Sequence, residues 1–534
     1  FMIGSNVSGN NPPPNEDNLL SQIRSMLQSK SDYKVLCEAG VLIEPKTDVG
    51  VFNFNNVTAL IDSGYVSTIR QIEFIKQHVE RRVSPKELDE KRKAYLFKET
   101  KIIFDNIYIE GLDEKQSEYA RRILLHKNKL VTLEDIKAAY FRLASDNKIK
   151  NIYPRAVFNP GTGYYDLYLR IKKEKDFETS FGGNFSNRPI SEGFIGLQYN
   201  YLGLFANSLS GNVYFGKLYG SVQLKSRFDF PFRTPMYIEP VLNFNKWDYY
   251  RSSSDLLEDT KPAYLLQKEG YAHVNAGFPT GKKGRIVSGA GWAEITDSYY
   301  LNKDQPSTAD SADKTIFDVA SVQTYYEVNS LNRKQYANQG EYLNFKVMYV
   351  NGLETNMPGS TSIIKDTIRA YHEWLSFKFV AERYFNRRGT LKIGVYGEGA
   401  YSTQPFFNNY TSSILSSPSF QPTPDSKTIF KENYRAHKYL AGGLKFVVNI
   451  RKNIELRAEG YIFQPYQALV KTADLKTEFG RPFAFQHYIG TGAIVCNTIL
   501  GPVSLSVNYY DQVKKPFSIL FHFGYTIFNN RALE

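Results

Sequence analysis

Phe517-Ser518-Ile519-Leu520-Phe521-His522-Phe523-Gly524-Tyr525-Thr526-Ile527 sets a large apolar residue at every second position: Phe517, Ile519, Phe521, Phe523, Tyr525 and Ile527. A period of two belongs to a β-strand, whose side chains point alternately to opposite faces. Working back from this stretch, the same rhythm runs through Val503, Leu505, Val507 and Tyr509, through Ile454, Leu456 and Ala458, and through Leu343, Phe345, Val347 and Tyr349. A soluble sandwich alternates in the same way. Three further features favour a membrane barrel. The runs are about 10–14 residues, enough to cross a bilayer at a tilt. Connections alternate between short ones (Ile450-Arg451-Lys452-Asn453, Pro279-Thr280-Gly281-Lys282-Lys283) and long ones near 249–268, 301–314, 351–365 and 403–433. Strand ends carry aromatic pairs, Tyr249-Tyr250, Tyr299-Tyr300, Tyr509-Tyr510 and the terminal Tyr525 to Phe528, as interfacial girdles require. About sixteen such strands fill 176–534, and an even number returns both barrel termini to the short-turn side.

The composition agrees. The 534 residues include 39 Tyr, 37 Phe and 3 Trp, an aromatic share of 15% in a chain that is only 42% hydrophobic. Mean hydropathy is −0.40, and no apolar run approaches the roughly 18–20 residues of a membrane helix. A lipid-facing barrel reconciles many aromatics with low hydropathy, because only alternate residues meet lipid. Lys+Arg 66 against Asp+Glu 54 gives a net charge of +12 spread along the chain. That suits anionic head groups, whereas nucleic acid is not an expected partner, since no basic stripe or recognition motif accompanies it. Two cysteines, Cys37 and Cys496, rule out a disulfide-stapled fold.

Two segments precede the barrel. Residues 1–98 open on a short apolar strand, Phe1-Met2-Ile3-Gly4, and reach another at Val41-Leu42-Ile43. Helical spacing is visible over Leu19–Ser29 and from Ala59 to about Arg82, and Ser84-Pro85-Lys86-Glu87 is a helix-start signal. The segment reads as the remainder of a larger α/β domain, and the chain as processed or incomplete at its front. Residues 101–175 read β-α-α-β-β, a complete small α+β domain, with a capping signal at Thr132-Leu133-Glu134-Asp135. The expected fold class is thus mainly β, a 16-stranded transmembrane antiparallel β-barrel preceded by these two parts.

The order of the parts resembles the back portion of the patatin-like outer-membrane proteins of Gram-negative bacteria. Ile43-Glu44-Pro45, Phe52-x-Phe54 and Leu60-Ile61-x-Ser63-Gly64-Tyr65 are similar to the end of bacterial patatin-like domains. The β-α-α-β-β unit, with Gly111-Leu112 closing its first strand, resembles a POTRA domain. Gly501-Pro502-Val503-Ser504-Leu505-Ser506 and the aromatic last strand resemble the end of insertase and two-partner-transporter barrels. The resemblance implies a patatin remnant at 1–98, POTRA at 101–175 and an outer-membrane barrel at 176–534, with the first two parts periplasmic. It implies an outer-membrane phospholipase whose barrel is an anchor or a path for lipid. The alternative is an insertase- or transporter-type barrel for protein assembly or secretion, and a passive pore comes third. Partners implied are outer-membrane lipids, other outer-membrane or periplasmic proteins, or a second copy.

The hydrolase chemistry needs a serine in G-x-S-x-G and an aspartate in D-G-[GA]. Ser8 and Ser288 lack the first glycine, and Asp62-Ser63-Gly64 lacks the required continuation. No residue of this chain is therefore nominated as catalytic, and any catalytic part is expected upstream. None of the seven histidines has a second ligand at metal spacing, so neither a metal nor a cofactor is expected. One structural pair is. Insertase-superfamily barrels carry V-R-G-[FY] on the sixth outer loop, and Tyr434-Arg435-Ala436-His437 resembles it, with alanine in place of the glycine. Leu456-Arg457-Ala458-Glu459-Gly460 resembles the acidic strand motif. The resemblance implies that Arg435 pairs with Glu459 across the lumen and holds the loop inward.

Overall fold

A computed structural model describes residues 1–7, 39–45, 57–79, 83–96, 102–124, 130–231, 234–249, 265–281, 283–301, 310–360, 362, 365–385, 389–511 and 516–534. The helix expected over Leu19–Ser29, the Phe52-x-Phe54 motif, Cys37 and Ser8 lie outside these residues. The chain divides into two compact units, Phe1–Lys101 and Ile102–Glu534.

In the first unit, β1 (Met2–Ser5) pairs in parallel with β2 (Gly40–Ile43). Among the described residues three helices follow: α1 (Val57–Ile69), α2 (Ile72–His78) and α3 (Pro85–Leu96). Ser84 Oγ accepts the Glu87 N–H at 3.1 Å, which fixes the start of α3 as its sequence signal predicts. The single run expected from Ala59 to Arg82 is broken between α1 and α2 by a turn at Arg70-Gln71. Among the described residues of this unit, Val41, Ile43 and Ile75 pack together as a buried cluster.

The second unit opens with an α+β layer. Its elements are β3 (Ile103–Glu110), α4 (Glu114–Leu124), β4 (Val131–Thr132), α5 (Leu133–Ala144), β5 (Ile149–Asn159) and β6 (Tyr164–Lys173). The sheet order is β4-β3-β6-β5, with β3 parallel to β6. The helices bury Tyr119, Ala120, Ile123 and Leu124 of α4 and Ile136, Ala139 and Leu143 of α5, the helical period of one apolar face. Leu167, Leu169 and Ile171 of β6 meet them. Thr132 caps α5 by accepting the Asp135 N–H at 3.3 Å. Gly111 has φ +87°, and a Cβ there would lie 2.4 Å from the Ile171 carbonyl oxygen, so this turn requires glycine. The layer is seated on the barrel: Leu202 and Ala206 join its core, and Lys148 Nζ pairs with Asp229 at 3.0 Å.

From Phe177 onward the strands close into a sixteen-stranded antiparallel barrel. Its first eight strands are β7 (Phe177–Ser186), β8 (Glu192–Leu202), β9 (Ala206–Gly216), β10 (Tyr219–Phe230), β11 (Met236–Asp248), β12 (Leu265–Thr280), β13 (Gly284–Tyr299) and β14 (Asp313–Asn329). The rest are β15 (Glu341–Met357), β16 (Ile368–Phe385), β17 (Leu391–Ser402), β18 (Lys438–Arg451), β19 (Ile454–Pro465), β22 (His487–Thr498), β23 (Gly501–Tyr510) and β24 (Phe517–Gly524). A side hairpin, β20 (Leu469–Lys471) with β21 (Thr477–Phe479), occupies the connection before β22. Each strand pairs with its sequence neighbour, and β24 returns to β7. Alternate residues such as Phe181, Phe244, Trp292, Leu440 and Ile519 are exposed on the outer wall. A closed sheet satisfies its own backbone, and an apolar outer face then suits lipid. This is a transmembrane barrel of the outer-membrane type.

Two expectations are corrected. The connection expected at 351–365 is shorter, because β15 continues to Met357 with Asn351, Leu353 and Thr355 still paired to β16. The aromatic pairs at strand ends are not all girdle residues. Tyr299 is fully buried, its hydroxyl 2.6 Å from Thr315 Oγ1, and buried Tyr510 donates to Asp425 Oδ2 at 2.7 Å. Alternation sends one member of each pair into the lumen.

Candidate functional site

The place where this wall is weakest is its closing seam. β24 and β7 share three residue pairs, His522↔Ser186, Phe523↔Phe185 and Gly524↔Asn184, whereas β23 and β24 share seven. Asn187 extends the contact by accepting the Phe521 N–H on Oδ1 at 3.0 Å, while its own N–H donates to the Phe521 carbonyl at 3.1 Å. Pairing then stops at Gly524, whose φ is +101°. A Cβ at this position would lie 2.0 Å from the Gly183 carbonyl oxygen. Phe177 through Gly183 consequently pair with β8 and have no described partner on the seam side. Phe177 and Phe181 are exposed along this free edge.

The alternating sequence runs on through Tyr525 and Ile527, and for that reason these residues read as strand. They leave the wall instead. The tail passes into the lumen, where Phe528 stacks edge-on against Tyr219 with ring centroids 4.9 Å apart. The Asn529 N–H donates to the Tyr219 hydroxyl at 3.0 Å. Tyr271 and Asn245 both donate to the Asn530 carbonyl at 3.0 Å, and Arg531 sits 3.8 Å from Glu269. The last residues are thus held by the inner faces of β10, β11 and β12.

The seam is braced from inside by the connection 330–340, the longest on the short-turn side. Its residue Tyr336, with φ +56°, places its hydroxyl 2.7 Å from His522 Nε2 on β24 and 3.1 Å from Ser504 Oγ on β23. His522 Nδ1 lies 3.2 Å from the Gly524 carbonyl, a distance that assigns the ring proton to Nδ1 and leaves Nε2 to accept from Tyr336. Gln335 Oε1 accepts the Thr526 N–H at 2.9 Å, just past the point where the tail departs. Arg457 anchors the other side of this connection by donating to the Tyr336 and Ala337 carbonyls at 3.2 and 3.0 Å. Sequence reading missed this element. Its only advance signal is length, on a side where other connections are short.

A second element enters from the long-loop side. The 403–437 connection carries α6 (Tyr410–Ser416), started by an Asn409–Ser412 capping box. It touches the wall on several sides: Asn409 bonds Tyr299, the Asn408 N–H donates to Glu354 at 3.1 Å, and Asp425 pairs with Arg188 at 2.8 Å. It therefore fills the lumen. Arg435 lies in it, buried, and donates to the carbonyls of Ile414, Leu415 and Ser417 at 3.4, 3.0 and 3.2 Å. A guanidinium at the C-terminal end of α6 meets the last carbonyls and the negative end of the helix. Burial, and then the Arg531 charge, lowers its pKa to about 10.

The Arg435–Glu459 pair is not formed. Arg435 serves its own loop, and Glu459 takes Arg457 Nε at 3.0 Å and the Tyr461 hydroxyl at 2.6 Å. The physical reason is local: Arg457 stands two residues away on the same inward face and reaches Glu459 without crossing the lumen. Ser288, one of the two serines weighed for hydrolysis, faces outward, and its hydroxyl sits 3.0 Å from Thr324 Oγ1.

No protein-family model matches the sequence, and no curated protein matches it. Solved structures do. The chain is similar to BamA from Haemophilus ducreyi lacking POTRA domains 1–3, at 14% identity and a TM-score of 0.54 over 79% of this chain and 84% of that one. CdiB from Acinetobacter baumannii matches at 10% identity and a TM-score of 0.45 over 95% and 96% of the two chains. CdiB from Escherichia coli matches at 12% and 0.44 over 78% and 75%. The BamA likeness fixes the architecture. This is a sixteen-stranded barrel of the outer-membrane kind.

Proposed function

We propose that this chain is an insertase- or transporter-type barrel that receives an extended client polypeptide at its seam, for assembly into the membrane or export across it. The observation that carries this reading is the free edge of β7, Phe177 through Gly183, beside a closure of three residue pairs. Unpaired backbone N–H and C=O groups facing lipid are costly, and an incoming strand satisfies them by the main-chain pairing of strand addition. The sequence resemblance of β23 and β24 to insertase and two-partner-transporter barrels points the same way. Neither the fold nor the comparisons support the phospholipase expectation, and no residue here is assigned to hydrolysis.

In this reading the α+β layer at 102–175 is a POTRA-type domain on the periplasmic side, and 1–98 is the remnant of a patatin-like domain. The edge of β5, which exposes Tyr153, Val157 and Phe158, is a place for the client to rest before the seam. Outer-membrane lipids surround the wall. The test is a photoreactive phenylalanine analogue at Phe181 on the free edge, with a second at Val213 on the outer face of β9 as control. On adding an unfolded β-barrel client to the reconstituted protein, adducts should form at 181 and not at 213. No client adduct at 181, or equal adducts at both, would refute the reading.

A further inference from the structure

At the short-turn rim of the barrel, the connection 330–340, Gly389-Thr390 and the turn 449–453 border an open cavity of about 450 Å³. Its lining brings four cations together, Arg333, Lys392, Arg451 and Lys452, and among the described residues contains no carboxylate. Glu455, which meets two of the lining residues, is buried on the inner face of β19 and already engaged. It accepts from Arg333, from Arg457 at 3.2 Å, from Asn338 at 2.7 Å and from Asn497 at 3.3 Å. Lys392 is more than nine-tenths buried, and its one described hydrogen bond is to Asn338 Oδ1 at 3.3 Å. An ammonium carries three donors, so two remain for the cavity. No ion pair engages Lys392, Arg451 or Lys452 among the described residues.

A buried cation held by one long bond is expensive unless an anion completes its shell. Converging ammonium and guanidinium groups suit a ligand that offers oxygens in several directions and more than one negative charge. A phosphate does this better than a carboxylate, and the volume admits a group of head-group size. We infer that this rim cavity is a binding site for a phosphate-bearing ligand, either a lipid head group or a soluble phosphate ester. One wall is the same 330–340 connection whose Tyr336 braces the seam, so an occupant stiffens the brace from outside. The site stands on its own lining and does not depend on the client-strand reading.

The experiment uses the full chain in detergent and in nanodiscs. Inorganic pyrophosphate is titrated by calorimetry, and retention of cardiolipin against phosphatidylcholine is read by native mass spectrometry. Lys392→Gln and the rim pair Arg451→Gln/Lys452→Gln are compared with wild type, each checked for the folded barrel by heat-modifiable gel mobility. Lys392→Arg keeps the charge. At least one probe should bind, about tenfold more weakly or worse in both Gln variants and near the wild-type affinity in Lys392→Arg. Pyrophosphate alone identifies a soluble ester, and cardiolipin alone identifies a lipid. Failure of both probes, or Gln variants that bind as tightly as wild type, would overturn the assignment.

Discussion

Removing one hydroxyl at Tyr336 should loosen the seam without touching the wall. Tyr336→Phe keeps the ring stacked on His522, whose centroid is 5.8 Å away, and deletes the contacts at 2.7 Å to His522 Nε2 and 3.1 Å to Ser504 Oγ. His522 is fully buried, so its acceptor nitrogen is left with no described partner. A buried polar atom left unsatisfied costs about 1–3 kcal/mol. Taking about 2 kcal/mol, and because β24 has so little other pairing to β7, opening of the seam becomes roughly 30-fold more frequent. Amide hydrogen exchange read by mass spectrometry gives this directly. Peptides covering 184–187 and 517–524 should exchange roughly 30-fold faster in the variant, while β14 and β15, paired along their whole length, should not change. An unchanged seam, or equal acceleration in every strand, would refute the view that the 330–340 connection braces this seam.

Three further outcomes are expected. Gly524→Ala puts a Cβ against the Gly183 carbonyl at a φ that alanine resists. It should lower the heat-modification temperature of the barrel, by a loss of about 1–3 kcal/mol. Arg435→Ala removes three carbonyl contacts and should make the 403–437 loop protease-sensitive, by about 2–4 kcal/mol. Glu459→Gln should leave the loop resistant, and a double-mutant cycle between the two should give coupling near zero. His437 is buried between Phe406 and Phe479, neither ring nitrogen has a partner among the described residues, and burial followed by Lys438 pushes its pKa down to about 4. Its folded pKa lies below the unfolded value of about 6.5, so the unfolded loop binds the proton more readily. Loop stability should be complete above about pH 6.5 and fall by about 3 kcal/mol as pH drops toward 4. His437→Phe should flatten that profile, read as protease protection against pH.

The barrel was legible because lipid imposes an apolar residue at every second outward position, and Phe517, Ile519, Phe521 and Phe523 obey it without a break. The same rule misled at the next residues. Tyr525 and Ile527 keep the rhythm, and only the backbone angle of Gly524, which the rhythm does not encode, turns the chain inward. The lumen was far less readable. Its contents are single long-range contacts, such as Tyr336 to His522 across 186 residues, and these leave no periodic trace. The Arg435–Glu459 expectation failed on a short-range competitor: Arg457 was visible in the sequence, two positions from Glu459, and proximity decided the pairing. The α+β layer was readable through helical spacing and the Thr132 cap, both local signals.

A barrel that receives client strands at its seam must open that seam to work. The most direct measurement is a cysteine pair at Phe185 and Phe523, which face each other in register. The reconstituted protein is oxidised to lock β7 to β24, then reduced, and the folding of an added unfolded β-barrel client is followed in both states. Locking should abolish client folding, and reduction should restore it. A locked barrel that works at the full rate would contradict this reading.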